Sequence, residues 1–272
     1  MEKIEWSPEN DSSIKEKEFQ IHEEYHKSLV RKYKNESQVF SSFRSFRIRC
    51  LEYANSEIGP IKGDVLEIGA GDGWCSAYML KNYQINSMYT MEITKAAINE
   101  LIPHVYSLCG VNTDNTTLIR GSFNQIDYDS KFDFIIGMGA IHHSENLQLT
   151  FDNIYKALKP GGVFIAQEPA MIDETQNDFY NNRNQQETVF KKLFKVKNEE
   201  RSDIFYRRCE YLTAAYHSGF NLKIKWLFPI NSGFKQVFGI DPKLNTDKAN
   251  NLLIMAKKPL DSVDANSVTR WG

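Results

Sequence analysis

No two cysteines in this 272-residue chain are spaced as a metal or disulfide pair. The four present, Cys50, Cys75, Cys109 and Cys209, lie far apart, with no C-x-x-C. That excludes a disulfide frame and a thiolate zinc site, and it fits reduced thiols in a cytoplasmic protein. An excess of one charge is also missing: 33 Lys and Arg stand against 35 Asp and Glu, a net charge of -2. A general nucleic-acid binder carries a basic excess, so nucleic acid is not an expected partner. No apolar run approaches the length of a membrane span, so no membrane partner is expected. The polar, acidic start MEKIEWSPENDSS does not read as a signal peptide. Internal repeats and low-complexity tracts are absent too. What is present, 41% hydrophobic residues, suffices for one large domain with additions or two small ones.

Residues 1–35 mix acids and bases, as in KEKEFQIHEEYHKSLVRKYK, and read as a solvated or covering helix. Trp6, Phe19, Tyr25 and Tyr33 supply its sparse contact face. Residues 38–57 carry Phe40, Phe43, Phe46, Ile48 and Leu51 at helical spacing until Gly59-Pro60 stops the run. Strands and helices then alternate. GDVLEIGA is a strand, WCSAYMLKNY a helix, SMYTMEIT a strand and KAAINELIPHVYSLCG a helix. TTLIRGSF and FDFIIGMGAIHH are strands, LTFDNIYKALKPGG is a helix and VFIAQEP a strand. This order predicts an α/β fold with a doubly wound, mostly parallel sheet. Residues 171–209 are too long for an ordinary loop and read as one or two helices over the sheet. CEYLTAAYHSGF follows as a helix, and NLKIKWLFPI and NNLLIMAKKP close the sheet as an antiparallel pair, for seven strands in all. The expected organisation is an N-terminal helical extension or lid (1–60), a main domain (61–260) with a substrate cap (171–220), and a loose tail (261–272).

The stretch VLEIGAGDGWCSAYML puts Gly69, Gly71 and Gly73 between a strand and a helix. Such a loop leaves backbone N–H groups facing the crevice at the carboxyl ends of the strands, and glycine lets a ligand approach closely. One glycine would serve a turn; three mark a cofactor loop. The dinucleotide fingerprint is G-x-G-x-x-G, and here the third glycine comes one residue early. Glu67, inside the strand, would disfavour a pyrophosphate and favour a cationic ligand. Glu92 ends the next strand, where an acid can accept from both ribose hydroxyls.

E-x-G-x-G-x-G in VLEIGAGDG, the acid in YTMEIT, FDFIIGMGAIHH and LKPGGVFIAQEP together resemble the class I S-adenosylmethionine-dependent methyltransferases, over roughly residues 60–170. The resemblance implies a Rossmann-like fold with S-adenosyl-L-methionine as cofactor, S-adenosyl-L-homocysteine as product and no metal. Glu67, Gly69 and Gly71 would surround the methionine part, with Glu67 near its ammonium, and Ala70 and Gly73 would also bind the cofactor. Glu92 would take the ribose hydroxyls, Ile93 would pack by the adenine, and Gly139 would lie under the methionine part. GSFN stands where the family often has an acid for the adenine amino group, so Ser122 and the backbone around Phe123 would serve instead.

Methyl transfer from a sulfonium chiefly needs the acceptor held in line. A hydroxyl acceptor also needs a base, a role suited to histidine. His142 and His143 end the fourth predicted strand, where adjacent side chains point to opposite faces, so one is expected at the site. Glu168 after the fifth strand is its expected partner. The bland alternatives are a strand cap and a surface acid. Sugar O-methyltransferases resemble this pairing, and His142 with Glu168 is the favoured pair. The segment FKKLFKVKNEERSDIFYRRCEYL gathers Arg201, Arg207 and Arg208 with Tyr206 and Tyr211, which suits an anionic or sugar-like small molecule. A solvated amphipathic helix is its plain alternative. The leading expectation is therefore O-methylation of a polar metabolite in carbohydrate or polysaccharide biosynthesis. N- or C-methylation of a lipid-like or aromatic metabolite, a non-catalytic cofactor binder, and a homodimer stay open.

Overall fold

A computed structural model describes residues 1–6, 16–144, 146–170, 206–227 and 250–260. The apolar, β-branched runs of the middle of the chain become strands buried on both faces, as a parallel sheet covered by helices requires. In chain order they are β2 (Lys62–Ile68), β3 (Gln84–Glu92), β4 (Thr116–Arg120), β5 (Phe132–Met138) and β6 (Leu158–Ala170). β1 (Glu2–Glu5) precedes them, and β7 (Asn221–Leu227) and β8 (Asn250–Lys257) follow. The sheet order is β1-β4-β3-β2-β5-β6-β8-β7. All neighbours are parallel except that β8 runs antiparallel to β6 and β7. The direction of winding reverses between β2 and β5, and the crevice at the carboxyl ends of these strands is where such sheets take ligands.

The helices are α1 (Glu16–Lys32), α2 (Glu36–Val39), α3 (Ser42–Ile58), α4 (Trp74–Asn82), α5 (Ile102–Cys109, continuing a π-helical turn Ala97–Leu101), α6 (Leu147–Ala157) and α7 (Arg208–His217). Two apolar clusters fill the two faces. One joins α3 through Cys50, Leu51 and Ala54 to α4, α5 and one side of the sheet. The other joins α6 and α7 to the opposite side through Phe151, Phe164, Tyr211 and Phe220.

The fold is the expected doubly wound sheet with its antiparallel last pair. Three boundaries differ. The sheet has an eighth strand, because EKIE pairs with Thr117–Arg120 at the edge; its three charged residues carry no strand signal, and an edge position tolerates them. β5 stops at Met138, where Gly139 takes a φ of 77°, and Ile141–His143 form a 3₁₀ turn instead of strand. α6 stops at Ala157 instead of running on through Gly162, because Leu158 already pairs with Phe132 and a residue before Pro160 disfavours helix. Residues 171–205, the 228–249 connection and the 261–272 tail lie outside the described residues.

α3 is as much part of the core as any sheet helix, since Leu51 is completely buried. Leu51→Ala should therefore lower the unfolding free energy by about 2–5 kcal/mol. A shift of the denaturant midpoint at unchanged slope measures this; a midpoint within experimental error of wild type would show that α3 is detachable.

Candidate functional site

Four strand ends converge on one cavity of about 270 Å³. Gly69 and Gly71 come from the loop after β2, and Glu92 and Ile93 from the end of β3. Gly121, Ser122, Phe123 and Asn124 follow β4, and Gly139, Ala140 and His143 follow β5. The remaining wall is α1, with Phe19, His22, Tyr25 and His26.

The glycine loop has the shape that its sequence requires. Gly69 has a φ of 59°, and a Cβ there would stand 2.6 Å from the Ala140 Cβ. The loops after β2 and β5 can meet this closely only without that side chain. Gly71 has a φ of 58° and open space where a side chain would go.

Three acids brace the loop. Glu92 accepts from Gly71 N at 2.8 Å and Ile93 N at 2.9 Å, which aims a nearly buried carboxylate at the cavity. Asp72 accepts from the Tyr33 hydroxyl at 2.8 Å and pairs with Arg44 of α3, so the N-terminal helices are tied to the loop. Glu67 accepts from Ser76 N at 2.9 Å in the first turn of α4. It is 2% exposed and does not line the cavity; burial pushes its carboxyl up to about 8. It stands behind the loop, where its strand position faces α4. Gly73 likewise packs outward, against Ile102.

The two histidines share a 3₁₀ turn, so strand alternation does not separate them. Glu168, fully buried, accepts from Ala140 N at 2.9 Å, Ile141 N at 3.0 Å and the His142 ring, whose Nδ1 lies 2.7 Å from Oε2. The favoured pair does meet, but it holds the turn, and His143 is the ring that lines the cavity. The two rings lie 4.1 Å apart, centroid to centroid. Arg47 of α3 lies against Gly139. Burial lowers its pKa, and the negative charge of Glu168 works the other way.

Of the expected substrate residues, the described ones, Tyr206, Arg207, Arg208 and Tyr211, do not line the cavity. Arg207 caps α7 and Arg208 begins it. Tyr211 is fully buried and donates to Pro169 O at 3.2 Å, and the Tyr206 hydroxyl donates to Ser144 O. Arg201 lies outside the described residues. Sequence reading missed Asp72, Arg44, His22 and His26. A signal for the last two existed: Phe19, His22 and His26 fall on one face of a helix.

The cavity suits S-adenosylmethionine. Among the described lining residues Glu92 is the one carboxylate, of the kind that can accept from a diol; Ile93 and Phe123 offer apolar walls, and Ser122 and Asn124 offer polar groups beside them. Among the described residues no group of three His, Cys, Asp or Glu is arranged for a metal, and no helix is long and apolar enough to cross a membrane.

Glu92→Ala should weaken S-adenosylhomocysteine binding by about 1–3 kcal/mol in calorimetry, the cost of unpaired buried hydroxyls; unchanged affinity would remove Glu92 from the site. Glu67 titrates higher folded than unfolded, so its contribution to stability is lost as pH rises from the ordinary carboxyl range to about 8, and is constant above that. Glu67→Gln should thus gain on wild type in thermal melts between pH 5 and pH 8, by a few kcal/mol in order of magnitude. A pH-independent difference would show that Glu67 titrates normally.

Residues 36–200 match a protein family described as "Methyltransferase domain". Among curated proteins, the sterol 24-C-methyltransferase of Aspergillus fumigatus is 26% identical over 205 residues, 68% of this chain and 50% of that protein. That of Yarrowia lipolytica is 24% identical over 151 residues, 51% of this chain and 38% of that protein. The chain thus spans half or less of the length of these relatives. Among solved structures, phosphoethanolamine N-methyltransferase 2 of Haemonchus contortus with S-adenosyl-L-methionine superposes with a TM-score of 0.61 at 15% identity, over 90% of this chain and 60% of that one. With the glycine loop, the ribose-type acid and the sheet order already in place, the chain belongs to the methyltransferase-domain family, on the class I S-adenosylmethionine-dependent fold.

Proposed function

We propose that the protein transfers a methyl group from S-adenosylmethionine to a carbon of an apolar, lipid-like acceptor. The observation that carries this reading is the similarity to sterol 24-C-methyltransferases, which reaches 205 residues. The cavity agrees with it. Phe19 and Tyr25 of α1 line it beside the cofactor residues, and the described arginines expected to hold an anionic sugar, Arg207 and Arg208, do not. S-adenosylmethionine supplies, when bound, a methyl group already activated on a positive sulfur. The chain then has three tasks: to hold that molecule by Glu92 and the glycine loop, to exclude water, and to position the acceptor. Positioning alone can supply much of the rate. α1 serves the second task by laying Phe19 and His26 over the cavity.

Incubation with methyl-labelled S-adenosylmethionine and a panel of acceptors tests this. Sterols and other isoprenoid alkenes in detergent should carry the label into the organic extract, while nucleotide sugars, polyols and phenols should stay unlabelled. Label confined to the sugar fraction would restore O-methylation and overturn the proposal.

A further inference from the structure

Four of the six histidines of the chain gather at one end of this cavity. His142 and His143 stand on the turn after β5; His22 and His26 stand one turn apart on α1. The His22 and His143 rings meet edge to face, 5.6 Å between centroids at 88°. α1 is anchored just after the contact, on the segment that follows β3. Glu23 accepts from Ala96 N at 3.0 Å, and His26 Nδ1 lies 2.7 Å from the Thr94 hydroxyl. Behind His143 the tilted His142 ring is tied to Glu168.

We propose that His22 and His143 act as one proton-accepting pair, so that α1 supplies part of the reacting site rather than only a cover. The chemistry rests on the carbon-methylation reading; the main test does not. When the π electrons of an alkene acceptor form the new bond to the methyl, the S–C bond breaks and leaves its electron pair on sulfur. The neighbouring acceptor carbon becomes cationic, and an adjacent C–H must lose its proton. A neutral imidazole of the pair takes that proton, and the C–H electrons close the new double bond. The rings meet edge to face, so the positive charge is shared with a neighbouring aromatic ring in a partly desolvated site. Among the described residues, the charged or titratable groups near the pair include His142 beside His143, Glu23, Tyr25 and His26 on α1, Glu92 at the end of β3, Arg47 beneath Gly139, and Glu168 behind His142.

The test is an NMR titration of ring-labelled histidine with S-adenosylhomocysteine bound, which needs no acceptor. In the wild type His22 and His143 should titrate in two coupled steps. In His22→Phe, which keeps a ring at that place, the step that His22 imposes should vanish from the His143 curve, leaving only the influence of His142, 4.1 Å away. With any acceptor found by the label screen, His22→Phe and His143→Gln should each lower kcat by about 10²-fold, and together by little more. Cofactor affinity should stay within about twofold of wild type in His22→Phe. An identical His143 titration in wild type and His22→Phe, or wild-type turnover in His22→Phe, overturns the pair. Failure of the lipid screen with coupling present would overturn the acceptor class and leave the pair standing.

Discussion

The crevice exists because buried carboxylates accept backbone N–H groups that the turns around it leave without partners. Glu92 takes Gly71 N, Glu67 takes Ser76 N, and Glu168 takes the N–H groups of Ala140 and Ile141. A bond to a neutral acceptor is worth about 0.5–1.5 kcal/mol and one to a charged acceptor about 1.5–3 kcal/mol, and each orphaned buried N–H would cost about 1–3 kcal/mol. Glycine frees these loops to take left-handed conformations, and the acids decide which conformation they keep. Only Glu92 also points its remaining lone pairs into the cavity. Thus one type of interaction builds the site, and its position relative to the sheet separates the acid that binds from the acids that brace.

The same device joins the N-terminal segment to the site. Asp72 sits inside the glycine loop, yet its partners, Tyr33 and Arg44, come from the segment between β1 and β2. At the other end of the cavity, Trp6 covers Gly121, and Arg120 pairs with Glu5 while its guanidinium stands 5.7 Å from the Phe19 ring. A change in the loop is therefore felt by α1 and α3, and the reverse. β1, α1 and α3 act as wall and brace, and their acids and bases, read singly, would pass for a solvated face.

The sheet was legible because burial on both faces demands unbroken apolar runs, and VLEI and FII have no other stable use. The cofactor loop was legible because three closely spaced glycines are costly anywhere else. What was not legible depended on contacts between distant segments. EKIE becomes a strand only because β4 offers an open edge. His142 and His143 read as strand residues until Gly139 turns the chain and puts both on one short turn. Tyr211 and Arg207 look like ligand contacts in a basic stretch. In the fold the first fills a core position under the sheet, and the second caps a helix. A basic, aromatic stretch states composition alone; where its side chains point is set by the helix it enters.

That distinction bears on the acceptor. A site for an anionic sugar has to bring fixed cations and donors to the cavity, because a charged ligand leaves water only for groups that replace its solvation. Here Arg44 is used by Asp72, Arg120 by Glu5, and Arg47 lies against Gly139 under the influence of Glu168. The described cations near the cavity thus serve the scaffold. What α1 brings to the opening is instead Phe19, Tyr25 and two imidazoles, groups with flat faces and little demand for a charged partner. An apolar acceptor loses nothing by leaving water for such a surface. Imidazole adds to it the one function an alkene methylation still lacks, a place for the departing proton. The chemistry of the wall and the chemistry of the reaction thus favour the same acceptor.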